Sequence, residues 1–256
     1  MKTSLLILGC GNSMGVPRID GYWGNCNKNN KKNFRTRCSA MITKGLNNIL
    51  IDTSPDIKKQ FLSNNIKDIS AVLLTHRHAD QTIGLFELRP FYWKYKKKID
   101  VYSDKVTIKY LKKTHKYLFD KVGDYNPILK ANVVNSNFTL GKSKNKIKFK
   151  SISVQHGRIK SLAYIFNKTA YISDCNDLSI VKFNVLKNLN YLVLDCLKFD
   201  NHPSHFNLEE ALYVINCLKP KKTLLTNLHY DMDYDYLKKI LPKNVIPAHD
   251  GISLKL

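Results

Sequence analysis

Short apolar runs that end at a histidine or an acid recur along this chain, and they constrain its fold more than any other feature. Ile49–Ile51 runs into Asp52, Ala71–Leu74 into Thr75-His76, and Ile147–Val154 stops just before His156. Ala170–Ile172 ends near Asp174, Tyr191–Leu194 at Asp195, and Thr223–Leu225 near His229. Apolar runs of this length bounded by turn residues read as buried strands. Strand ends along one sheet edge converge in space. Asp52, the His76-to-Asp80 cluster, His156, Asp174 and His229 are therefore expected to share one site on a rigid scaffold.

Further strands are expected at Leu5–Leu8, Ile99–Tyr102, Ala163–Phe166, Val245–Ile246 and Ile252–Leu254. Ser54-Pro55-Asp56 predicts a helix to about Leu62, with Ser54 as cap and Pro55 at the first helical position. Asn207 is the expected cap of a helix over Leu208–Leu218, with Glu209 and Glu210 in its first turn. A lysine- and aromatic-rich stretch from Phe91 to Lys121 predicts a helix over Lys105–Tyr117 and puts His115 on the surface. No linker, repeat or break in composition divides the series, so residues 1–256 read as one α/β domain.

A chain of 256 residues with 43% hydrophobic and 24% charged residues has the composition of a soluble globular protein with a substantial core. No apolar run approaches the roughly 20 residues of a membrane-spanning helix. Leu5–Leu8 is too short for a secretory signal. A cytoplasmic protein with no membrane partner is expected. The six cysteines never form a C-x-x-C pair and read as free thiols. The formal charge of +22 comes from 36 lysines and only 6 arginines. Arginine is the residue that grips phosphates bidentately. The excess is read as lysine and asparagine enrichment of the kind an AT-rich genome writes, compatible with a polyanionic ligand but not requiring one.

Thr75-His76-Arg77-His78-Ala79-Asp80-Gln81 is the sharpest local signal. Two imidazoles at i and i+2 and a carboxylate at i+4, straight after an apolar strand, suit a tight loop around a cation. Neutral imidazole and carboxylate are both good zinc or manganese ligands.

This run resembles the T-H-x-H-x-D-H signature of the metallo-β-lactamase superfamily. The resemblance extends over nearly the whole chain. It takes in Leu8-Gly9-Cys10-Gly11-Asn12-Ser13-Met14-Gly15-Val16-Pro17-Arg18, then Gly84-Leu85 with Leu88-Arg89-Pro90. Towards the C-terminus it takes in His202-Pro203-Ser204-His205-Phe206, Leu225-Thr226-Asn227-Leu228-His229 and Ala248-His249-Asp250-Gly251. These segments are similar to the branch of phosphoribosyl 1,2-cyclic phosphate phosphodiesterases. The resemblance implies a four-layer αβ/βα sandwich of two mixed β-sheets flanked by helices. It implies a first metal on His76, His78 and His156, Asp174 as a bridge, and Asp80 on a second metal. Asp52 would orient a ligand histidine and fix its tautomer. His205 matches the branch's proton donor, so His205 and Asp80 are the expected catalytic pair. His202 and Arg89 are candidate substrate contacts, Arg89 with a structural ion-pair role as the competing reading.

Two positions depart from the pattern. The signature's last histidine is Gln81, and a later histidine ligand position is Asn227, with His229 two residues on as a substitute ligand. An amide oxygen is a weaker ligand than imidazole, so one or two Zn²⁺ or Mn²⁺ ions are expected, with a weakened second site. The branch's cysteine-rich zinc loop keeps only Cys26, and no structural zinc is expected there.

The implied chemistry is in-line attack on phosphorus by a metal-activated hydroxide, with His205 protonating the departing alkoxide. The expected partner is a small phosphorylated substrate, possession of a nucleic-acid ligand is not favoured, and nothing in the sequence excludes a homodimer. Three rivals stay open: an RNA-processing nuclease of the same superfamily, a thioester or lactam hydrolase, and a degenerate member that binds a ligand without turnover.

Overall fold

Sheet pairing explains why so many strands here are apolar on both sides. The computed structural model describes residues 2–141, 143–179, 181 and 183–256. Among them, two seven-stranded sheets form. With strands numbered in chain order, the first sheet runs Ser253–Lys255 (β14), Thr3–Gly9 (β1), Ser39–Lys44 (β2), Asn47–Ile51 (β3), Ala71–Leu73 (β4), Ile99–Ser103 (β5) and Leu129–Val133 (β6). The second runs Val245–Pro247 (β13), Lys222–Thr226 (β12), Tyr191–Asp195 (β11), Thr169–Ile172 (β10), Ile159–Phe166 (β9), Ile147–His156 (β8) and Asn137–Leu140 (β7). Both sheets are mixed: β3 to β6 and β10 to β13 are parallel, whereas β1–β2–β3 and β7 to β10 are antiparallel.

Strand alternation sorts the core into three layers. Ile49, Ile51 and Leu73 face Phe149, Tyr164, Tyr171 and Val193 across the middle layer, which the two sheets share. Leu50, Val72 and Val101 turn the other way, against Phe61, Leu88, Leu111 and Leu118. Leu192, Leu194 and Leu225 likewise face Ala211, Val214 and Leu218 on the outside of the second sheet. The result is the helix–sheet–sheet–helix sandwich that the sequence resemblance implied. Among the described residues, no helix is long and apolar enough to cross a membrane.

Most expected elements form, with instructive differences. Leu208–Leu218 is helical with Asn207 and Glu210 closing a capping box. The helix expected from Pro55 starts later, at Ile57, because the Ser54 hydroxyl turns back to accept from the Asp56 N–H at 3.0 Å. The stretch Lys105–Tyr117 breaks at His115 into helices Lys105–Thr114 and Lys116–Phe119. His115 is not free on the surface; its ring packs edge-on against Phe86 at 4.9 Å. Strands β2, β6 and β7 and the helices Arg89–Tyr95 and Tyr234–Ile240 had no sequence signal. β6 and β7 lie at sheet edges, where a strand is half-solvated and its residues need not be apolar.

Two buried clamps hold the loops that border the strand ends. Asp250 accepts from the Cys10 N–H at 3.1 Å, the Thr36 N–H at 2.8 Å and the Thr36 hydroxyl at 2.6 Å, tying the C-terminal turn to the loop after β1. Arg35, 1% exposed, donates to the carbonyls of Met232 at 2.6 Å and His229 at 3.2 Å and to Asn33 Oδ1 at 3.1 Å. The lone Cys26 thiol lies at 3.7 Å from the same guanidinium. A charged donor thus fixes the turn 229–232. Replacing it by Arg35→Met leaves the buried Met232 carbonyl without its donor, while the His229 carbonyl keeps the Met232 N–H, and is expected to cost about 2 kcal/mol. The midpoint of urea unfolding measures this, and an unchanged midpoint contradicts the clamp.

Candidate metal centre

The parallel strands place their C-terminal ends on one edge, and the polar residues leave the sheets there. Asp52 follows β3, His76 lies just beyond β4, Asp174 just beyond β10 and Asn227 directly after β12, while His156 ends β8 and Asp195 ends β11. Asp52 and Asn227 both take a left-handed backbone, with φ of 58° and 66°. For residues other than glycine that conformation is tolerated best by Asn and Asp, whose short side chains bond locally.

Six chain segments meet there around a cavity of about 500 Å³. The ring nitrogens of His76, His78 and His156 lie within 4.8 Å of one another, and so do ligand atoms of His156, Asp174 and His205. Ring centroids of the first three are 4.5 to 5.1 Å apart. Two of the three rings are oriented from behind. His76 Nδ1 meets Thr75 Oγ1 at 3.0 Å, and that hydroxyl and the Thr75 N–H both donate to Asp52, the latter at 2.7 Å. His156 Nδ1 donates to the Ser204 carbonyl at 2.7 Å, which turns Nε2 towards His78. Asp52 therefore acts on His76 through Thr75 and not by touching it.

His76 Nε2 is buried and has no hydrogen-bond partner. A buried polar atom without a partner costs about 1–3 kcal/mol unless something binds it. Burial pushes His76 down to about 3, and burial also lowers His78, with His156 adding to the effect. Both rings are neutral at pH 7, the form that donates a lone pair to a cation. Asp174 is fully buried, which alone would raise its pKa, but His76, His156 and His205 outweigh that and hold it below the ordinary carboxylate range. Two neutral imidazoles with a third imidazole beside them, an ionised carboxylate and an orphaned Nε2 fit a divalent cation.

The remaining predicted residues divide. Asp80 lines the cavity, and burial together with Asp174 raises it to about 6. The Gln81 amide nitrogen lies 3.4 Å from Asp80 and 3.3 Å from Asp174, and the Asn227 amide nitrogen 3.4 Å from Asp174 and 3.0 Å from the Ser173 carbonyl. Both amides thus turn N–H donors, not oxygens, to Asp174. His202 lines the cavity with its ring 5.2 Å from that of His205. His229 is on the cavity wall but stands outside the close-set ligand atoms; its Nδ1 is held by Asp231 at 2.8 Å. Arg89 does not reach the cavity and lines a separate hollow of about 210 Å³ with Trp93 and Tyr117.

Sequence reading missed Asp195, although it shows the same pattern of an apolar run ending in an acid. It is fully buried and accepts from the Cys175 N–H and from His205 Nδ1, both at 2.8 Å. Burial lowers His205, but the Asp195 carboxylate outweighs this and raises it to about 9. The proton of the pair sits on His205. Lys198 and Tyr230, which also line the cavity, carried no recognisable motif.

Comparison with known proteins agrees with this geometry. A family model described as a β-lactamase superfamily domain matches residues 47–230. The octanoyltransferase of Porphyromonas gingivalis is 30% identical over 253 residues; the match takes in 96% of this chain, and the chain spans about half the length of that curated relative. The crystal structure of a diphosphatase from the PhnP family superposes with a TM-score of 0.89 at 30% identity, covering 100% of this chain and 98% of the other. Zinc-bound PqqB from Methylobacterium extorquens gives 0.80 at 16% identity, covering 99% of this chain and all of that one, a likeness of fold. Human short-form tRNase Z gives 0.67 at 14% identity over 98% of each chain, again a likeness of fold. By sequence and by the histidines gathered at its strand ends, the chain belongs to the metallo-β-lactamase superfamily and to its PhnP-like branch.

Proposed function

We propose that this protein hydrolyses a small phosphodiester with one divalent cation, zinc or manganese, held by His76, His78, His156 and Asp174. The observation that carries the reading is the pairing of two unlike features in one cavity: a cluster of three imidazoles with an orphaned Nε2, and a protonated His205 beside it. The PhnP-family diphosphatase, 30% identical over the whole chain, supports phosphoryl chemistry at such a centre.

When bound, the cation supplies Lewis-acid polarisation of a phosphoryl oxygen and makes water nucleophilic at neutral pH. The chain's own residues do the rest. Asp80, raised to about 6, is ionised at pH 7 yet basic enough to take a proton from the attacking water. His205 has Nδ1 fixed by Asp195 and gives its other ring proton to the leaving oxygen. His202 and Lys198 line the same cavity and are the side chains assigned to the phosphate's outer oxygens. Gln81 and Asn227 solvate Asp174 with N–H groups where a second cation would need lone pairs, which supports a single-ion site. The rival RNA-processing reading draws on the aromatics among lysines from Tyr92 to Lys121, notably Trp93, Tyr95 and Tyr117; these line hollows apart from the metal cavity.

Three outcomes are expected. His78→Ala or Asp80→Ala abolishes hydrolysis of bis(p-nitrophenyl) phosphate, and His78→Ala also loses the metal by mass spectrometry; retention of both in His78→Ala overturns the site. Gln81→His raises metal content from about one to about two ions per chain, since imidazole restores a second ligand set; an unchanged stoichiometry removes this account of Gln81. The third concerns pH. His205 lies above its ordinary value, so its proton is present at lower pH and is lost as pH rises through about 9. Activity should fall on that alkaline side, and Asp195→Asn should move the fall down by about one unit or more. An alkaline limb unmoved in Asp195→Asn contradicts the role given to His205.

A further inference from the structure

One buried donor on the wall of the metal cavity is left over by the chain. Asn12, in the loop after β1, lines the cavity and is 3% exposed. Its Nδ2 is buried and has no hydrogen-bond partner among the described residues. The other end of the carboxamide fixes its orientation. Oδ1 accepts from the Met14 N–H at 2.8 Å, and an N–H can pair only with the amide's oxygen, so the amino group is turned away from that bond. The Gly15 N–H closes the turn on the Asn12 carbonyl at 2.9 Å, with Gly15 at a φ of 70°. The loop is docked on the segment that follows β12. There the Leu228 N–H donates to the Cys10 carbonyl at 2.9 Å and the Asn12 N–H to the Leu228 carbonyl at 3.4 Å. Asn227, next to Leu228, has its amide nitrogen 3.4 Å from Asp174 and 3.1 Å from His205 Nδ1. Asn12 is therefore held, by backbone pairing, beside the residue that touches both the carboxylate of the cage and the proton donor.

A buried donor without an acceptor costs free energy unless a ligand supplies one. Asn12 is no candidate for the cation, because its one lone-pair oxygen is engaged by Met14. A neutral N–H in a cavity that also holds the imidazole cluster and His205 suits an anionic oxygen. We propose that Asn12 is a substrate-binding residue, its Nδ2 donating to a non-bridging oxygen of the phosphodiester, a role that rests on the phosphodiesterase reading and deepens it. A fixed donor aimed at an oxygen on which charge grows binds more strongly as attack proceeds, and so lowers the barrier. Asn12 forms no covalent bond and gives up no proton. Water adds its oxygen to phosphorus, the bond from phosphorus to the leaving oxygen breaks, and that oxygen takes its proton from His205. His202 and Lys198 share the non-bridging oxygens through charge, whereas the carboxamide adds a donor that does not titrate.

Two variants of the metal-loaded protein separate this role from one of merely holding the loop. Asn12→Asp keeps an oxygen for the Met14 N–H and loses the donor, whereas Asn12→Ala loses both. At about pH 8, where an introduced carboxyl is ionised, both should lower kcat for bis(p-nitrophenyl) phosphate by about 10²-fold and change KM far less. By calorimetry, Asn12→Ala should weaken orthovanadate, which takes the five-coordinate geometry of phosphorus under attack, by about tenfold or more, and inorganic phosphate by less. Metal content by mass spectrometry should stay at the unmodified level in both. An unchanged kcat in either variant, or an unchanged vanadate affinity in Asn12→Ala, overturns the role, and so does loss of metal in step with activity. No turnover of the diester by the unmodified protein, with vanadate affinity still dependent on Asn12, overturns the hydrolytic reading and leaves the oxygen-binding site standing.

Discussion

An imidazole buried beside other imidazoles stays folded in place only if it is neutral and each of its nitrogens has something to bind. That constraint organises this molecule. His76 is wholly buried and its Nδ1 is satisfied through Thr75 and Asp52; His156 is satisfied through the Ser204 carbonyl. What is left over is the Nε2 of His76, which no protein group satisfies, beside the facing nitrogens of His78 and His156. The carboxylate of Asp174 completes the set from the opposite sheet and stays ionised because the histidines around it outweigh its burial.

Such an arrangement needs a frame stiff enough to hold groups from distant positions within a few ångströms. Two sheets sharing one apolar layer supply it, with parallel strands delivering Asp52 and His76 from one sheet and Asp174, Asp195 and Asn227 from the other. Loops that lack this backing are secured by buried polar clamps instead. Asp250 secures the loop after β1, and Arg35 secures the turn that carries His229 and Tyr230. The side chains of a site on strand ends are positioned more finely than those on free loops, and here even the loop side of the cavity is tied down.

Much of this was legible in the sequence because burial leaves a pattern. Runs such as Ala71–Leu74 can be read as strands, and the acid or histidine at each end can be read as converging. The His76-to-Asp80 spacing and the motifs around His205 and Asn227 pointed to a superfamily. Other features left little trace. Edge strands such as Leu129–Val133 are half-solvated and lose the apolar signature. Asp195 sat at a strand end in plain view, yet its partner His205 is ten residues away on a loop, and no local spacing joins them. His229 and Arg89 looked eligible by residue type; the structure turns His229 towards Asp231 and sends Arg89 to another hollow. Lys198 and Tyr230 became visible only once the cavity they line was in hand.

The central claim is that His76, His78, His156 and Asp174 form one cage for one cation. Anomalous diffraction at the zinc or manganese edge, on crystals grown with that ion, measures it directly. One strong peak within bonding distance of the three histidines and of Asp174 is the predicted result. A peak anchored elsewhere, or no peak at saturating metal, would contradict it.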